Sequence, residues 1–270
     1  MARQRLGQHF LHDAGWREEI AHSIGVSRRS LERPETLAKP YCWIEIGAGH
    51  GEMTRFLAAT GKPVYAVELD PPLIAGLQKL AAKFPNVSIM PGDVLETDLA
   101  AIAAGRRIRL YGNLPYYITS PILHRFFEIA DLIDEIHIVI QLEVALRLVA
   151  HPGTRDYGYL SVLTQYFSKP SIALKIPPGA FRPPPEVGSA LVSLKLPGEN
   201  ATIEFSNQAA FMDFVKRCFA QKRKTLVNNL RELAEPAKVK ETLADLGLPA
   251  AARAEELPVT QLAALFKKIG

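Results

Sequence analysis

The chain has 270 residues, of which 48% are hydrophobic and 22% are charged, and its formal net charge is +4. This composition supplies a sizeable core and carries too many charges for a membrane protein, so we expect a soluble globular protein. The two cysteines, Cys42 and Cys218, lie far apart without a CxxC partner, which excludes zinc-finger, iron–sulfur and disulfide-framework proteins. No stretch approaches the roughly 20 apolar residues of a membrane-spanning helix, and the basic start MARQRLGQHFLHD lacks the apolar region of a secretory signal. We expect a cytoplasmic location.

The first predicted element is a helix over residues 13–24 with Asp13 as its N-cap. After a loop rich in Arg, Glu and Pro, apolar strand patterns alternate with helical patterns. The predicted strands cover residues 41–46, 63–68, 87–90, 108–111 and 135–140, and the predicted helices cover residues 52–59, 72–84, 120–129 and 142–150. This alternation is typical of βαβ units and predicts a parallel sheet with both faces covered.

The strand pattern ends before the last quarter of the chain. Two more strand-like stretches, residues 171–175 and 190–196, are joined by IPPGAFRPPPEVGS, whose five prolines argue against regular structure. We expect a functional loop there. Helical periodicity runs from Asn207 to the end, after a Pro/Gly break, so we predict two domains, residues 1–198 and 199–270.

The second domain contains a run of basic residues. Residues 216–231 read KRCFAQKRKTLVNNLR, with six Lys or Arg and no acidic residue. Such a segment attracts a phosphate backbone, and it is equally typical of the solvated face of a surface helix. These residues by themselves leave both interpretations open.

Three glycines, Gly47, Gly49 and Gly51, follow the first predicted strand and precede a helix. Glycines at such a turn let the backbone approach a ligand closely. The position where a dinucleotide fingerprint has its third glycine holds Glu52, which would repel a pyrophosphate and argues against NAD. A cationic ligand without phosphates, such as S-adenosylmethionine, tolerates the acidic surroundings of Glu45 and Glu52.

Acidic residues follow the next two strands. Glu68 ends the second strand, where a carboxylate accepts hydrogen bonds from both ribose hydroxyls of a nucleoside. Asp93 follows the third strand, where a carboxylate accepts a hydrogen bond from the adenine amine. Each alone is typical of an ordinary strand-end acid, but the carboxyl ends of parallel strands meet at one crevice. Together with the glycine turn, they predict an S-adenosylmethionine site.

The tetrapeptide Asn113-Leu114-Pro115-Tyr116 follows the fourth strand at the same edge. The exocyclic amine of adenine is a poor nucleophile, because its lone pair is delocalised into the ring. The Asn113 side-chain oxygen and the carbonyl of Leu114 or Pro115 would draw that lone pair toward a methyl donor. Pro115 would stiffen this backbone, and Tyr116 would stack on a base taken out of its helix. The alternative is an ordinary Asn-Pro-type turn with a core tyrosine.

Several motifs in this order carry a family resemblance. They are GQHFL at 7–11, EIGAGHG at 45–51, VELD at 67–70, GD at 92–93, GNLPYYITSPIL at 112–123, FRPPPEVGSALV at 181–192 and QKRKTLVNNL at 221–230. Over about 220 residues the chain resembles the rRNA adenine N6,N6-dimethyltransferase family, most closely its KsgA branch, which acts on the small ribosomal subunit.

The resemblance implies a Rossmann-like class I methyltransferase fold with a small C-terminal all-helical domain. It implies that residues 1–198 bind S-adenosylmethionine and catalyse methyl transfer, and that residues 199–270 bind RNA and the ribosome. The implied site residues are cofactor contacts at His9, Leu11, Gly47, Gly49, Glu68, Asp93 and Asn113, target-adenine residues at Asn113, Leu114, Tyr116 and Phe181, and RNA contacts at Lys222, Arg223 and Lys224.

The implied reaction is transfer of four methyl groups to N6 of two adjacent adenosines, in the 3′-terminal hairpin loop of 16S rRNA. The implied partners are small-subunit rRNA and 30S assembly intermediates, with a role in late small-subunit biogenesis. We expect a monomer, no membrane association and no metal. Three residues depart from the family pattern, since His9 and Tyr117 stand where Asn is usual and Ala48 stands where Pro is common.

Three rival functions use part of the same pattern. An antibiotic-resistance relative methylates one adenosine of large-subunit rRNA, but the strings GNLPYYITSP and QKRKTLVNNL favour the small-subunit branch. A ribosome-assembly factor without catalysis is disfavoured by intact site residues, namely Gly47, Glu68, Asp93, Asn113 and Tyr116. A DNA adenine methyltransferase ranks last, because the sequence lacks an element typical of reading a major groove.

Overall fold

The computed structural model describes residues 9–27 and 40–269. The strands in these ranges are β1 (Phe10–Leu11), β2 (Tyr41–Ile46), β3 (Val64–Glu68), β4 (Val87–Pro91), β5 (Arg107–Asn113), β6 (Ile133–Gln141), β7 (Lys169–Ile176), β8 (Phe181–Arg182) and β9 (Ser189–Lys195). The α-helices are α1 (Ala14–Ser23), α2 (Glu52–Ala58), α3 (Pro71–Ala81), α4 (Leu99–Ala103), α5 (Thr119–Phe127), α6 (Leu142–Val149), α7 (Tyr159–Phe167), α8 (Gln208–Cys218), α9 (Leu226–Asn229), α10 (Pro236–Asp245) and α11 (Val259–Ile269).

Seven strands form one sheet in the order β4-β3-β2-β5-β6-β9-β7. The pairs from β4 to β6 are parallel, and β9 runs antiparallel to β6. All six residues of β2 are buried, as expected for a central strand covered on both faces. The chain order reverses between β2 and β5, and such a switch point opens a crevice at the carboxyl ends of the strands.

The predicted elements of the first half match this sheet closely. Residues 41–46 form β2 as predicted, and Asp13 caps α1 by accepting a hydrogen bond from the Trp16 N–H at 3.0 Å. Helices α4 and α7 were not predicted from the sequence. The expectation of no regular structure in the five-proline loop was wrong in part, because β8 pairs antiparallel with β1. Two residues of each strand suffice for this pairing, and a two-residue strand leaves no periodicity to detect.

The described residues divide into two compact units. One contains those up to Ala145 together with Ser171–Leu196, and the other contains Leu146–Pro170 together with those from Pro197 onward. The predicted boundary at residue 198 left α7 in the first domain. The structure groups α7 with the later helices because Tyr166 packs on Phe211, with ring centroids 5.5 Å apart. No helix in the described ranges is long and apolar enough to cross a membrane.

Candidate active site at the carboxyl edge of the sheet

The predicted crevice exists in the first unit, at the carboxyl ends of β2, β3 and β5. Gly47 follows β2 directly, Glu68 is the last residue of β3, and Asn113 is the last residue of β5. They surround a cavity of about 60 Å³. Its lining consists of His9, Phe10, Gly47, Gly49, Glu68, Asn113, Leu114, Pro115 and Tyr116. The structure therefore brings eight of the predicted cofactor and catalytic residues together, with Phe10 beside them.

The glycine turn forms the floor of the cavity. Gly49 has a φ of +58°, which side chains other than glycine rarely adopt, and a Cβ there would lie 3.3 Å from the Phe10 ring. Phe10 belongs to β1, so this strand packs closely against the glycine turn. Phe10 was not among the predicted site residues, although it is part of the GQHFL string.

Glu68 is a buried carboxylate fixed by the backbone around it. Its Oε2 accepts a hydrogen bond from the Gly49 N–H at 2.9 Å. Its Oε1 accepts from the N–H groups of Leu69 at 2.9 Å and Asp70 at 3.0 Å. Three of the roughly four acceptor sites of the carboxylate are occupied in this way, and the open one lies on Oε2. The side chain is thus held rigidly in the cavity wall and can still accept a hydrogen bond from a hydroxyl group.

The Asn113 side chain has a defined orientation. Its Nδ2 donates a hydrogen bond to the His9 carbonyl oxygen at 2.8 Å. Because a carbonyl oxygen only accepts, the amide nitrogen has to face His9, and Oδ1 is left without a recorded donor among the described residues. Asn113 therefore presents its Oδ1 as an acceptor at the cavity.

The backbone after Asn113 supplies a second acceptor. The Pro115 carbonyl accepts a hydrogen bond from the Ile118 N–H at 3.2 Å and is therefore engaged in a turn. The Leu114 N–H donates to the Val139 carbonyl at 3.0 Å, but no donor to the Leu114 carbonyl is recorded in the described chain. Of the two carbonyls that sequence analysis left open, the geometry favours Leu114.

Tyr116 is held at both ends. Its hydroxyl lies 2.8 Å from Ser189 Oγ, and its ring stacks on the His9 ring with centroids 5.6 Å apart. Burial raises the pKa of the Tyr116 phenol, and the Ser189 hydrogen bond opposes this more weakly, so the phenol is neutral at physiological pH. His9 Nδ1 in turn lies 2.8 Å from the Pro183 carbonyl oxygen. One face of the Tyr116 ring is therefore covered by His9.

Three of the predicted cofactor and catalytic residues lie outside the cavity lining. Leu11 and Phe181 are opposite each other in the β1–β8 pair and are buried in the core. Asp93 follows β4, and its Oδ1 accepts a hydrogen bond from the Leu95 N–H at 2.9 Å, which closes the local turn. Their assigned roles stay predictions. No group of three metal-ligating side chains occurs in the part of the chain that the structure describes.

The acidic surroundings expected from Glu45 and Glu52 are not part of the cavity. Glu45 is buried and accepts a hydrogen bond from Thr54 Oγ1 at 2.6 Å, while Glu52 lies 3.9 Å from Arg17. Burial raises the pKa of Glu45 to about 8, against the smaller lowering effect of the Thr54 hydrogen bond, so Glu45 is protonated at pH 7. Glu68 is the acidic residue of the described lining.

The raised pKa of Glu45 predicts a pH-dependent stability. A carboxyl group with a pKa near 8 in the folded protein and 4.5 in the unfolded chain stabilises the fold fully below pH 4.5. This stabilisation is lost as the pH rises through 8. We expect the midpoint temperature of thermal unfolding to decrease as the pH is raised from 5.5 to 8.5, and to decrease less in Glu45→Gln. The exposed-site variant Glu96→Gln should retain the wild-type decrease, and an equal decrease in all three proteins would contradict the assignment.

In the second unit, the three basic residues with implied RNA contacts are exposed. Lys222, Arg223 and Lys224 lie between α8 and α9. Lys222 Nζ donates to the Arg155 carbonyl, while Arg223 and Lys224 have no recorded ion-pair partner among the described residues. Thr225 caps α9, and Arg217 lies 3.8 Å from Glu232. The segment thus presents concentrated positive charge to solvent.

Comparisons with known proteins agree on one family. A family model described as ribosomal RNA adenine dimethylase matches residues 1–270. Curated relatives named ribosomal RNA small subunit methyltransferase A include one from Koribacter versatilis, 37% identical over 98% of this chain and 93% of the relative. Another, from Acidobacterium capsulatum, is 38% identical over 98% of this chain and 90% of the relative.

Two solved structures share the fold. A dimethyladenosine transferase from Plasmodium falciparum superposes with a TM-score of 0.78 at 22% identity, covering 95% of this chain and 96% of that one. The 23S rRNA methyltransferase ErmE superposes with a TM-score of 0.69 at 25% identity, covering 96% of this chain and 99% of that one. The observed architecture is therefore the Rossmann-like methyltransferase fold with a helical C-terminal part that the sequence predicted.

Proposed function

Because the chain belongs to the ribosomal RNA adenine dimethylase family, we propose that it dimethylates N6 of two adjacent adenosines in the 3′-terminal hairpin loop of small-subunit rRNA. The family makes it an rRNA adenine dimethyltransferase, and the names of its relatives support the small subunit as its target. The observation that carries the proposal is the Asn113 amide, whose nitrogen is bonded to His9 so that Oδ1 remains an open acceptor.

Family and fold imply S-adenosylmethionine as the methyl donor, and the residues present fit such a group. Glu68 would accept a hydrogen bond from the ribose of this group through Oε2, and the turn at Gly47 and Gly49 would let the protein backbone approach it closely. Leu69, which is 51% exposed beside Glu68, would offer apolar surface to the adenine ring. When bound, this group supplies a methyl on a sulfonium, a strong electrophile.

The chain's own contribution is to prepare the target amine. Asn113 Oδ1 and the Leu114 carbonyl oxygen would each accept one hydrogen bond from the N6 amine of the target adenine. Two such bonds favour a pyramidal nitrogen and concentrate the lone pair on it, which is the change that attack on the methyl requires. The amine becomes acidic once methylated, so no strong general base is needed. Positioning supplies most of the rate.

The cavity has to enlarge before both ligands fit. Its volume of about 60 Å³ is far below the roughly 300 Å³ of ordinary ligand pockets. His9 covers one face of Tyr116, so a target base would stack on the other face or displace the His9 ring. The contacts of His9 with Asn113 and Pro183 would re-form over the bound ligands and exclude water.

The second unit would bind the RNA backbone. Lys222, Arg223 and Lys224 are exposed and close in sequence, and contacts to phosphates release condensed counterions and so strengthen binding at low salt. Small-subunit particles late in assembly would be the natural substrate, because they present the folded hairpin loop.

Reversing these charges is expected to weaken RNA binding. We expect the triple variant Lys222→Glu, Arg223→Glu and Lys224→Glu to bind small subunits about 10²-fold more weakly near 0.1 M salt. The slope of log affinity against log salt is negative, and its magnitude should decrease by about 2 to 3, because each lost phosphate contact removes about one unit. Filter binding across a salt series measures both quantities.

The matched control reverses Lys238 and Lys240, two exposed cations of α10. We expect this double variant to lose much less affinity than the triple variant. The affinity for S-adenosylmethionine should stay unchanged in both proteins. An equal loss of RNA affinity in the control, or a parallel loss of cofactor affinity, would contradict the division of labour between the units.

The proposed substrate is tested by offering unmodified small and large ribosomal subunits separately with S-adenosylmethionine carrying a labelled methyl group. Label in small-subunit RNA alone supports the proposal. Label in large-subunit RNA alone would favour the antibiotic-resistance type of activity. Binding to small subunits without transfer would favour a catalytically idle assembly factor.

A further inference from the structure

A second charged concavity lies in the first unit, on the side of α2 and α3. It is lined by His50, Arg55, Pro72, Leu73, Gly76, Lys79, Leu80 and Lys83, and we call it the α3 groove. Three of these residues carry permanent positive charge and one is a histidine, while no acidic residue belongs to the described lining. None of the functions assigned above uses it.

The four polar side chains of the α3 groove are exposed and available. His50, Arg55, Lys79 and Lys83 are all solvent-exposed, and no ion pair of theirs is recorded in the described ranges. Lys79 lies on α3 and Lys83 lies two residues beyond its end, and both line the groove, so two like charges share it. Their mutual repulsion is relieved by a polyanion, so the groove favours one.

The backbone of α3 keeps the groove open. Leu73 and Leu80 are buried and form its apolar floor. A Cβ added at Gly76 would have no atom within 4 Å, so the space above this helix turn is open to a ligand. Gly51 brings α2 close to α3, because a Cβ there would lie 2.6 Å from a Leu80 methyl carbon. The cations of both helices therefore face one channel.

The α3 groove adjoins the candidate active site through a pair of rings. His50 belongs to the groove, and its ring centroid lies 4.8 Å from that of Phe10, which lines the site cavity. A nucleic-acid strand whose base enters the cavity continues on either side of it. A phosphate backbone along the groove would then be held by the catalytic unit itself, independently of Lys222, Arg223 and Lys224.

We propose that the α3 groove binds the phosphate backbone of the substrate RNA near the methylated loop. The inference rests on the proposed function, because it names RNA as the polyanion. The step is binding alone, so the groove contributes to affinity and to the placement of the loop. It leaves the chemistry at Asn113 and the binding of S-adenosylmethionine unchanged.

The test uses the full-length double variant Lys79→Gln and Lys83→Gln, with small subunits lacking the modification as the probe. We expect about tenfold weaker binding near 0.1 M salt. The slope of log affinity against log salt should be smaller in magnitude by about 2. The KM for small subunits should rise by a similar factor, while kcat and the Kd for S-adenosylmethionine stay within about twofold. Both substitutions are at exposed sites, so thermal unfolding should be unchanged.

The matched control is Lys175→Gln with Lys195→Gln, which removes two exposed charges from β7 and β9, at the other edge of the sheet from the β3 and β4 strands that α3 contacts. We expect its affinity to stay within about twofold of wild type. Equal losses in both double variants, or an unchanged salt slope in the groove variant, would overturn the inference. Wild-type protein that fails to bind small subunits would instead contradict the proposed function.

Discussion

Replacing Asn113 by alanine is expected to lower kcat for methyl transfer by about 10²- to 10³-fold, the usual effect of removing one preorganised polar group at a reacting centre. The wild-type Oδ1 is oriented before substrate arrives, because the His9 carbonyl fixes the amide nitrogen at 2.8 Å. Alanine removes the acceptor for the target amine and leaves the other acceptor, the Leu114 carbonyl, in place. Single-turnover transfer to small subunits at saturating cofactor measures the effect.

The control for this variant is Asn86→Ala. The Asn86 Nδ2 donates to the carbonyl oxygens of Ala58 and Lys62, both at 2.8 Å, and has no contact with the candidate site. We expect Asn86→Ala to be less stable and to retain kcat. Asn113→Ala should bind small subunits nearly as well as wild type. A kcat equal to that of the wild type in Asn113→Ala would contradict the role assigned to this side chain.

Replacing Glu68 by alanine is expected to act on cofactor binding rather than on the chemical step. Hydrogen bonds to a charged group contribute about 1.5–3 kcal/mol each. Loss of the ribose contact at the open acceptor site therefore raises the Kd for S-adenosylmethionine by about 10- to 10²-fold. The three N–H groups that Glu68 accepts from also lose their partner, which loosens the glycine turn. Calorimetric titration with S-adenosylmethionine measures the change in affinity.

Asp70 supplies the matched control for Glu68. It lies two residues further along the same VELD string and precedes α3, and its side chain makes no cap hydrogen bond. Asp70→Ala should bind the cofactor within about threefold of wild type. The two site variants therefore differ in their effects, since Glu68→Ala raises the cofactor Kd and Asn113→Ala lowers kcat. A Glu68→Ala protein with wild-type cofactor affinity would contradict the assignment of the ribose contact.

Much of the catalytic fold was predictable from the sequence because its strands are short apolar runs bounded by glycine and acidic residues. Gly47, Glu68 and Asn113 each terminate or follow a parallel strand, and parallel strands necessarily bring their carboxyl ends to one edge. Spacing along the chain therefore translated directly into proximity in space. The family resemblance added the N-terminal segment, whose His9 is found at the same cavity.

The parts that escaped prediction depend on contacts between distant segments. The β1–β8 pair joins two residues near position 10 to two near position 181. Each of these segments is too short to show a hydrophobic periodicity. The Tyr116 hydroxyl bond to Ser189 spans 73 residues. Glu45 was misjudged as part of the acidic surroundings, because a strand residue that faces Thr54 in the core has the same sequence context as one that faces a ligand. The unit boundary differed for a similar reason, since the packing of Tyr166 decides it.

The measurement that tests the account most directly is the identity of the methylated nucleosides formed on small subunits lacking the modification. Wild-type protein and Asn113→Ala would be incubated with these particles and S-adenosylmethionine, and the RNA digested to nucleosides and separated. We expect N6,N6-dimethyladenosine approaching two residues per particle with the wild type, and almost none with Asn113→Ala in the same time. Methyl groups on other nucleosides, or equal dimethyladenosine from both proteins, would contradict it.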